Sequence, residues 1–152
     1  MIVYRISDCR YITDLSGKGA ALYGGRWNSK DTYMVYTAQS RALALLEAVV
    51  HIGKVPEAGY CVAVIDIPED SIEISPLEKL PADWNKNPSS DFLKIIGDRF
   101  INNGKYLALK IPSVLMMEEC NYLLNPAHAH FNKVHILAQR PINVDDRLFP
   151  EK

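Results

Sequence analysis

Gly24-Gly25-Arg26-Trp27-Asn28, followed by Tyr36-Thr37 and then by Ala42-Leu43-Ala44-Leu45-Leu46-Glu47-Ala48-Val49-Val50, is the stretch from which the rest of the chain can be read. Between Ala42 and Val50 every side chain except Glu47 is Ala, Leu or Val. A helix of this composition is apolar nearly all round and is expected to be largely buried. A lone carboxylate inside it is costly to desolvate unless it is paired or hydrogen-bonded. Arg26 and Tyr36, shortly upstream, are candidate companions. A structural Glu47–Arg26 pair and a carboxylate kept for chemistry both satisfy the spacing.

Outward from this stretch, Ser40 stands where a helix N-cap belongs, ahead of a helix over Arg41–His51 that Gly53 and Pro56 end. Ile2–Ile6 and Tyr33–Thr37 read as strands, with a Gly-punctuated loop over residues 15–32 between them. Tyr60–Ile67 is rich in Val and Ile and stops at Pro68. Residues 68–90 hold four prolines and several acids, which predicts a long surface excursion with short structured pieces. A second helix is predicted over Asp91–Asn103, capped by Ser89 or Ser90 and stopped by Gly104. Tyr106–Ile111, Val114–Met117, Val134–Leu137 and Ile142–Val144 are further strand candidates. With no repeat and no linker, residues 1–152 read as one α+β domain.

Composition narrows the classes. The chain has 152 residues, 48% hydrophobic and 23% charged, as a globular domain with one core requires. A net charge of −1 gives no general electrostatic reason to bind nucleic acid or an anionic membrane. No apolar run is long enough for a membrane span, and the N-terminus lacks a signal-type pattern. Cys9, Cys61 and Cys120 are odd in number and far apart, which argues against a disulfide framework or cysteine zinc site and for a reducing cytoplasm.

Gly17-Lys18-Gly19-Ala20-Ala21-Leu22 fails the dinucleotide fingerprint at its last glycine, and no Walker-type loop is present. The glycines of residues 17–25 either let backbone approach a ligand or make turns. His128 and His130, with His135 nearby, could suggest a metal site, but no carboxylate lies close by to complete a set, and hydrogen-bonding histidines fit better; a metal-dependent hydrolase would use His128 and His130 with Glu118 or Glu119. Ser113 follows Pro112 at a strand break, where its hydroxyl can face a cleft or form a turn.

Taken in order, Tyr4-Arg5, Leu15 to Ala20, Gly24 to Asn28, Tyr36-Thr37-Ala38, Ala42 to Glu47, Ile96-Gly97-Asp98, Ile111-Pro112-Ser113, Asn121 to Pro126 with His128, and Asp146-Arg147-Leu148 resemble the RES domain. This is the toxin half of bacterial RES–Xre toxin–antitoxin systems. The resemblance implies a compact α+β domain similar to the diphtheria-toxin-like ADP-ribosyltransferase fold, with mixed β-sheets and flanking helices. It also implies a cytoplasmic enzyme that consumes NAD+ by hydrolysis or phosphorolysis and arrests growth. The family's arginine, glutamate and serine map onto Arg26, Glu47 and Ser113. A departure is Lys30-Asp31-Thr32, where relatives commonly carry a glycine.

Given NAD+ as substrate, residue chemistry suggests roles. Breaking the nicotinamide–ribose bond leaves oxocarbenium-like charge on the ribose, which an ionised Glu47 would stabilise. Arg26 suits the diphosphate or an attacking phosphate, and Gly25 would let backbone approach it. Tyr36 offers a face to nicotinamide, while Asn28, Ser113 and Asn121 supply hydrogen bonds and Arg5 a second cation. No metal or cofactor is implied, phosphate being a possible co-substrate. An Xre-type antitoxin is the implied partner, seated over the cleft, and a homodimer is possible. The alternatives are transfer of ADP-ribose to a cellular protein, a non-catalytic nucleotide-binding module, and a metal-dependent hydrolase.

Overall fold

The computed structural model describes residues 1–149, and the last three positions of the expected domain lie outside the described residues. Seven strands form one mixed sheet: β1 (Ile2–Asp8), β2 (Val35–Ala38), β3 (Tyr60–Asp66), β4 (Ile72–Ile74), β5 (Ala108–Pro112), β6 (Cys120–Leu124) and β7 (His135–Ile142). Their spatial order is β4-β5-β6-β2-β1-β3-β7. Only β4 and β5 pair in parallel. Three helices, α1 (Lys18–Tyr23), α2 (Arg41–Ile52) and α3 (Asp91–Asn103), complete the α+β domain.

Strand alternation divides the core in two. Val3, Val35, Ala63, Ile65, Tyr122 and Leu124 bury against one another on one face. On the other face, Tyr4 and Ile6 pack against Ala38 and the α2 residues Leu43 and Ala44. Further along that face, Leu109, Ile111 and Leu123 pack against Leu93 and Phe100 of α3, with Trp27 and Trp84. Register carries one continuous row through Val64, Tyr4, Ala38, Asn121 and Ile111. Asn121 therefore lies on the floor between the strands that α2 covers and those that α3 covers.

Both long helices begin and end as their sequences dictate. Ser40 Oγ accepts from Leu43 N at 3.1 Å and Ser90 Oγ from Phe92 N at 3.3 Å. Gly53 and Gly104 close them with φ of 69° and 59°. Helix α2 buries Leu43, Ala44 and Ala48 but leaves Leu46 and Val50 exposed, so it is covered on one face rather than all round. Leu43→Ala would cost about 2–5 kcal/mol by opening a cavity there.

Several boundaries differ from the sequence reading. The loop over residues 15–32 contains α1. The expected Val114–Met117 strand is a turn, and the ladder resumes at Cys120, where no strand was predicted. The candidates Val134–Leu137 and Ile142–Val144 are one strand, β7, running through Pro141 at the sheet edge, where a missing amide donor is tolerated. Asp31 is the only non-glycine residue with positive φ, 68°, among those described. That left-handed conformation is costly for a residue with a Cβ and marks a tight turn at Asp31.

The cysteines also depart from expectation. Cys9 and Cys61 form a disulfide. Pairing of β1 with β3 sets Cys61 opposite Ser7, and Cys9 folds back just beyond, its N donating to Gly59 O at 3.1 Å. A sequence separation of 52 residues conceals this proximity. The bond runs counter to the reducing compartment inferred from cysteine spacing. No helix is long and apolar enough to cross a membrane among the described residues.

Candidate functional site

Glu47, on the side of α2 facing α3, reaches the sheet floor. Its Oε1 accepts from Asn121 Nδ2 at 2.6 Å and from Ser113 Oγ at 2.9 Å. Its Oε2 makes no hydrogen bond among the described residues. Ser113 is fully buried just past Pro112, where its Oγ also accepts from Leu115 N at 3.0 Å and Met116 N at 3.3 Å. The turn that replaces the expected strand thus fixes the serine, satisfying both the turn and the cleft readings. Asn121 Oδ1 is buried without a partner. A buried acceptor in this state typically costs about 1–3 kcal/mol until a donor reaches it.

Arg26 does not pair with Glu47. Its Nη1 donates to the carbonyls of Trp84 at 3.1 Å and Lys86 at 2.9 Å, leaving the other guanidinium donors free of protein hydrogen bonds among the described residues. The segment after Pro81 therefore holds the arginine by one corner. The structural Glu47–Arg26 pair is replaced by two separately anchored charges, both close enough to act on the Tyr36 hydroxyl.

Tyr36 is held by the loop that carries Arg26. Its hydroxyl donates to Asn28 Oδ1 at 2.7 Å and accepts from Trp27 N at 3.2 Å. Burial pushes its pKa well above the ordinary tyrosine value; the Trp27 amide and Arg26 oppose the shift, and Asp98 and Glu47 add to it. The hydroxyl is thus a fixed neutral strut, and only the ring remains for stacking.

Other assignments change. Asn28 is fully buried, and its Nδ2 donates to the carbonyls of Ala20, Ser29 and Thr32. It is a scaffold for the loop, with no group left over for NAD+. A Cβ on Gly25 would meet Tyr36 Oη at 2.7 Å and Asn28 Oδ1 at 2.8 Å, so this glycine admits the tyrosine rather than a ligand. Arg5 follows Tyr4 on β1 and therefore belongs to the opposite face of the sheet from Glu47. Its Nη1 donates to the carbonyls of Tyr11, Ile12 and Asp14, and burial lowers its pKa against the opposing pull of Asp14. Strand periodicity could have excluded it.

Sequence reasoning missed Asp98 and the loop carbonyls. Asp98 Oδ1 accepts from Ser29 N at 2.9 Å, tying α3 to the loop that carries Arg26. The Gly97-Asp98 pair was visible as a motif, but nothing in its spacing gave its contact. His128 and His130 meet edge-on, and His128 Nδ1 accepts from His130 N at 3.1 Å. Glu119 accepts from Ser40 Oγ at 2.6 Å, while Glu118 is exposed. No group of three or more His, Cys, Asp or Glu is arranged to hold a metal among the described residues.

Comparison with known proteins bears on the family and the fold. The chain is 36% identical over 155 residues to a protein of Photorhabdus laumondii named Toxin Res, covering all of this chain and 99% of that protein. It is 41% identical over 120 residues to a Prs ADP-ribosylating toxin of Sphingobium, covering 76% of this chain and 74% of that protein. Its fold matches a chain in the crystal structure of the M. tuberculosis MbcT–MbcA toxin–antitoxin complex, with a TM-score of 0.74 at 16% identity, over 93% of this chain and 83% of that chain. The RES domain itself matches over residues 2–145. The match to the RES domain over residues 2–145, with 36% identity to a Toxin Res over the whole chain, places this chain in the RES-domain family.

Proposed function

We propose that this chain is a toxin that cleaves the nicotinamide–ribose bond of NAD+ and is neutralised by an Xre-type antitoxin. The observation that carries the reading is Glu47, held through one oxygen by Ser113 and Asn121 with the other oxygen unbonded. As the bond breaks, nicotinamide leaves with the bonding electron pair and positive charge grows on the ribose. The fixed carboxylate stabilises that charge, directly or through the 2′-hydroxyl, without having to reorganise. The free donors of Arg26 bind the diphosphate, and the Tyr36 ring offers a face to nicotinamide. An oxygen of water or phosphate then attacks the ribose carbon and loses a proton to solvent. The relatives named Toxin Res support a toxin; its substrate pool in this reading is the NAD+ of the cytoplasm.

A second reading is favoured by the Sphingobium relative, named for ADP-ribosylation: a protein side chain takes the place of water. Incubating the purified chain with NAD+, with and without phosphate, and identifying the products tests both. Free ADP-ribose or its 1″-phosphate is expected alongside nicotinamide. ADP-ribose found only on added protein would favour the second reading, and no release of nicotinamide would overturn both.

A further inference from the structure

A second concavity lies across α2 from Glu47. It is a groove of about 600 Å³ lined by Ile6, Leu45, Val62, Ile142 and two arginines, Arg41 and Arg140. Ile6, Val62 and Arg140 are direct cross-strand partners on β1, β3 and β7, so all three point to the α2 side of the sheet. Arg41, in the first turn of α2, stacks its guanidinium 4.4 Å from the Tyr4 ring centroid. The result is an apolar floor with a cation on each side. No Asp or Glu lines it, and neither guanidinium has an ion pair or hydrogen bond among the described residues.

One wall of this groove is an open sheet edge. Strand β7 ends the strand order, and among the described residues no strand pairs with its outer side. Six of its eight residues are exposed, Leu137 to 59%. Proteins commonly cover, shorten or charge such an edge because its main-chain groups can template another strand. Here the arginine lies at the groove, so the edge favours an incoming strand of opposite charge.

We propose that β7 and the Arg41–Arg140 groove dock an extended acidic segment of a second protein, added to the sheet as an eighth strand. Main-chain hydrogen bonds to β7 would give affinity. Carboxylates on alternate residues would all project to the α2 side and meet Arg140 and Arg41, while intervening apolar residues face the other side of the sheet. The charge of the groove selects an acidic segment over a basic one. This surface is separate from Glu47 and its partners and does not depend on the NAD+ reading.

The test uses a fluorescein-labelled peptide, Glu-Val-Glu-Val-Glu-Val amide, with Lys-Val-Lys-Val-Lys-Val amide as control, read by anisotropy and by amide exchange. The acidic peptide is expected to bind saturably and slow exchange at residues 135–140. The double variant Arg41→Glu/Arg140→Glu should bind at least about tenfold more weakly at unchanged circular dichroism. If that variant misfolds, Arg41→Gln/Arg140→Gln replaces it, with the same expectation. Equal binding of the lysine peptide, equal binding by the variant, or no saturable binding would overturn the proposal. So would displacement by inorganic phosphate without exchange protection (an anion site only), or self-association that buries β7 against a second copy.

Discussion

Glu47 owes its geometry to two neutral donors on one oxygen, and this makes Glu47→Gln an informative change. A glutamine can accept from Ser113 and Asn121 through its carbonyl, so packing should survive while the charge is lost. Nicotinamide release is expected to fall by about 10²-fold or more, the usual scale for losing a major electrostatic contact, with the melting temperature little changed. Near-normal release would remove Glu47 from the chemistry. Tyr36 offers a pH test. Its raised pKa means that the folded state keeps a proton the unfolded state gives up above the ordinary tyrosine range. Its contribution to stability is thus complete below about pH 10 and is lost as pH rises further. Tyr36→Phe should flatten the alkaline fall in stability. It should also cost about 1–3 kcal/mol at neutral pH, because Asn28 Oδ1 and Trp27 N lose their partner. Denaturant titrations of both proteins from neutral to alkaline pH measure this.

At the scale of elements, α3 meets the arginine loop at Gly97. A Cβ there would fall 1.7 Å from Trp27 O, so Gly97→Ala must move either the helix or the loop. A loss of about 3 kcal/mol is expected, together with weaker NAD+ binding, since Arg26 adjoins Trp27. Chemical denaturation and calorimetric titration would check the two parts. The helices were legible in the sequence because their signals are local: Ser40 and Ser90 at one end, Gly53 and Gly104 at the other. Glu47 was legible because it contradicts its neighbours. Strand β6 was not, since Cys120-Asn121-Tyr122 shows no alternation against solvent; it is central, covered on both faces and bordered by the turn over residues 113–119. The roles given to Gly25 and Asn28 failed for a related reason. Their chemistry allows a ligand, but packing around the Tyr36 hydroxyl had already used them.

For the whole molecule, the Cys9–Cys61 bond clips the start of the chain to the third strand. Closing a loop of 52 residues stabilises by up to about 4 kcal/mol on chain-entropy grounds. Denaturation with and without reductant should therefore differ, and the double variant Cys9→Ser/Cys61→Ser should resemble the reduced protein in both conditions. If the oxidised, reduced and variant proteins unfolded alike, the clip would contribute nothing. The site lies on the opposite face of the sheet, so any nicotinamide release should be insensitive to reductant at temperatures where the fold persists.

Glu47 waits for partners 66 and 74 residues downstream, and Asn121 arrives on the strand that fills the gap between β5 and β2. During synthesis the ribosome therefore releases a carboxylate, an arginine and an aromatic ring long before the strand that organises them. A chain interrupted before Cys120 has two sheet fragments with no strand to pair them. It should be unfolded, open to proteases and harmless, however much of the arginine loop it contains. Expressing chains that stop at Glu119 and at Lys152 and comparing growth would show this. The late arrival of β6 works as a timing device: the protein becomes dangerous only after Asn121 has emerged, leaving the host that translates it all the preceding elongation in which to prepare a restraint.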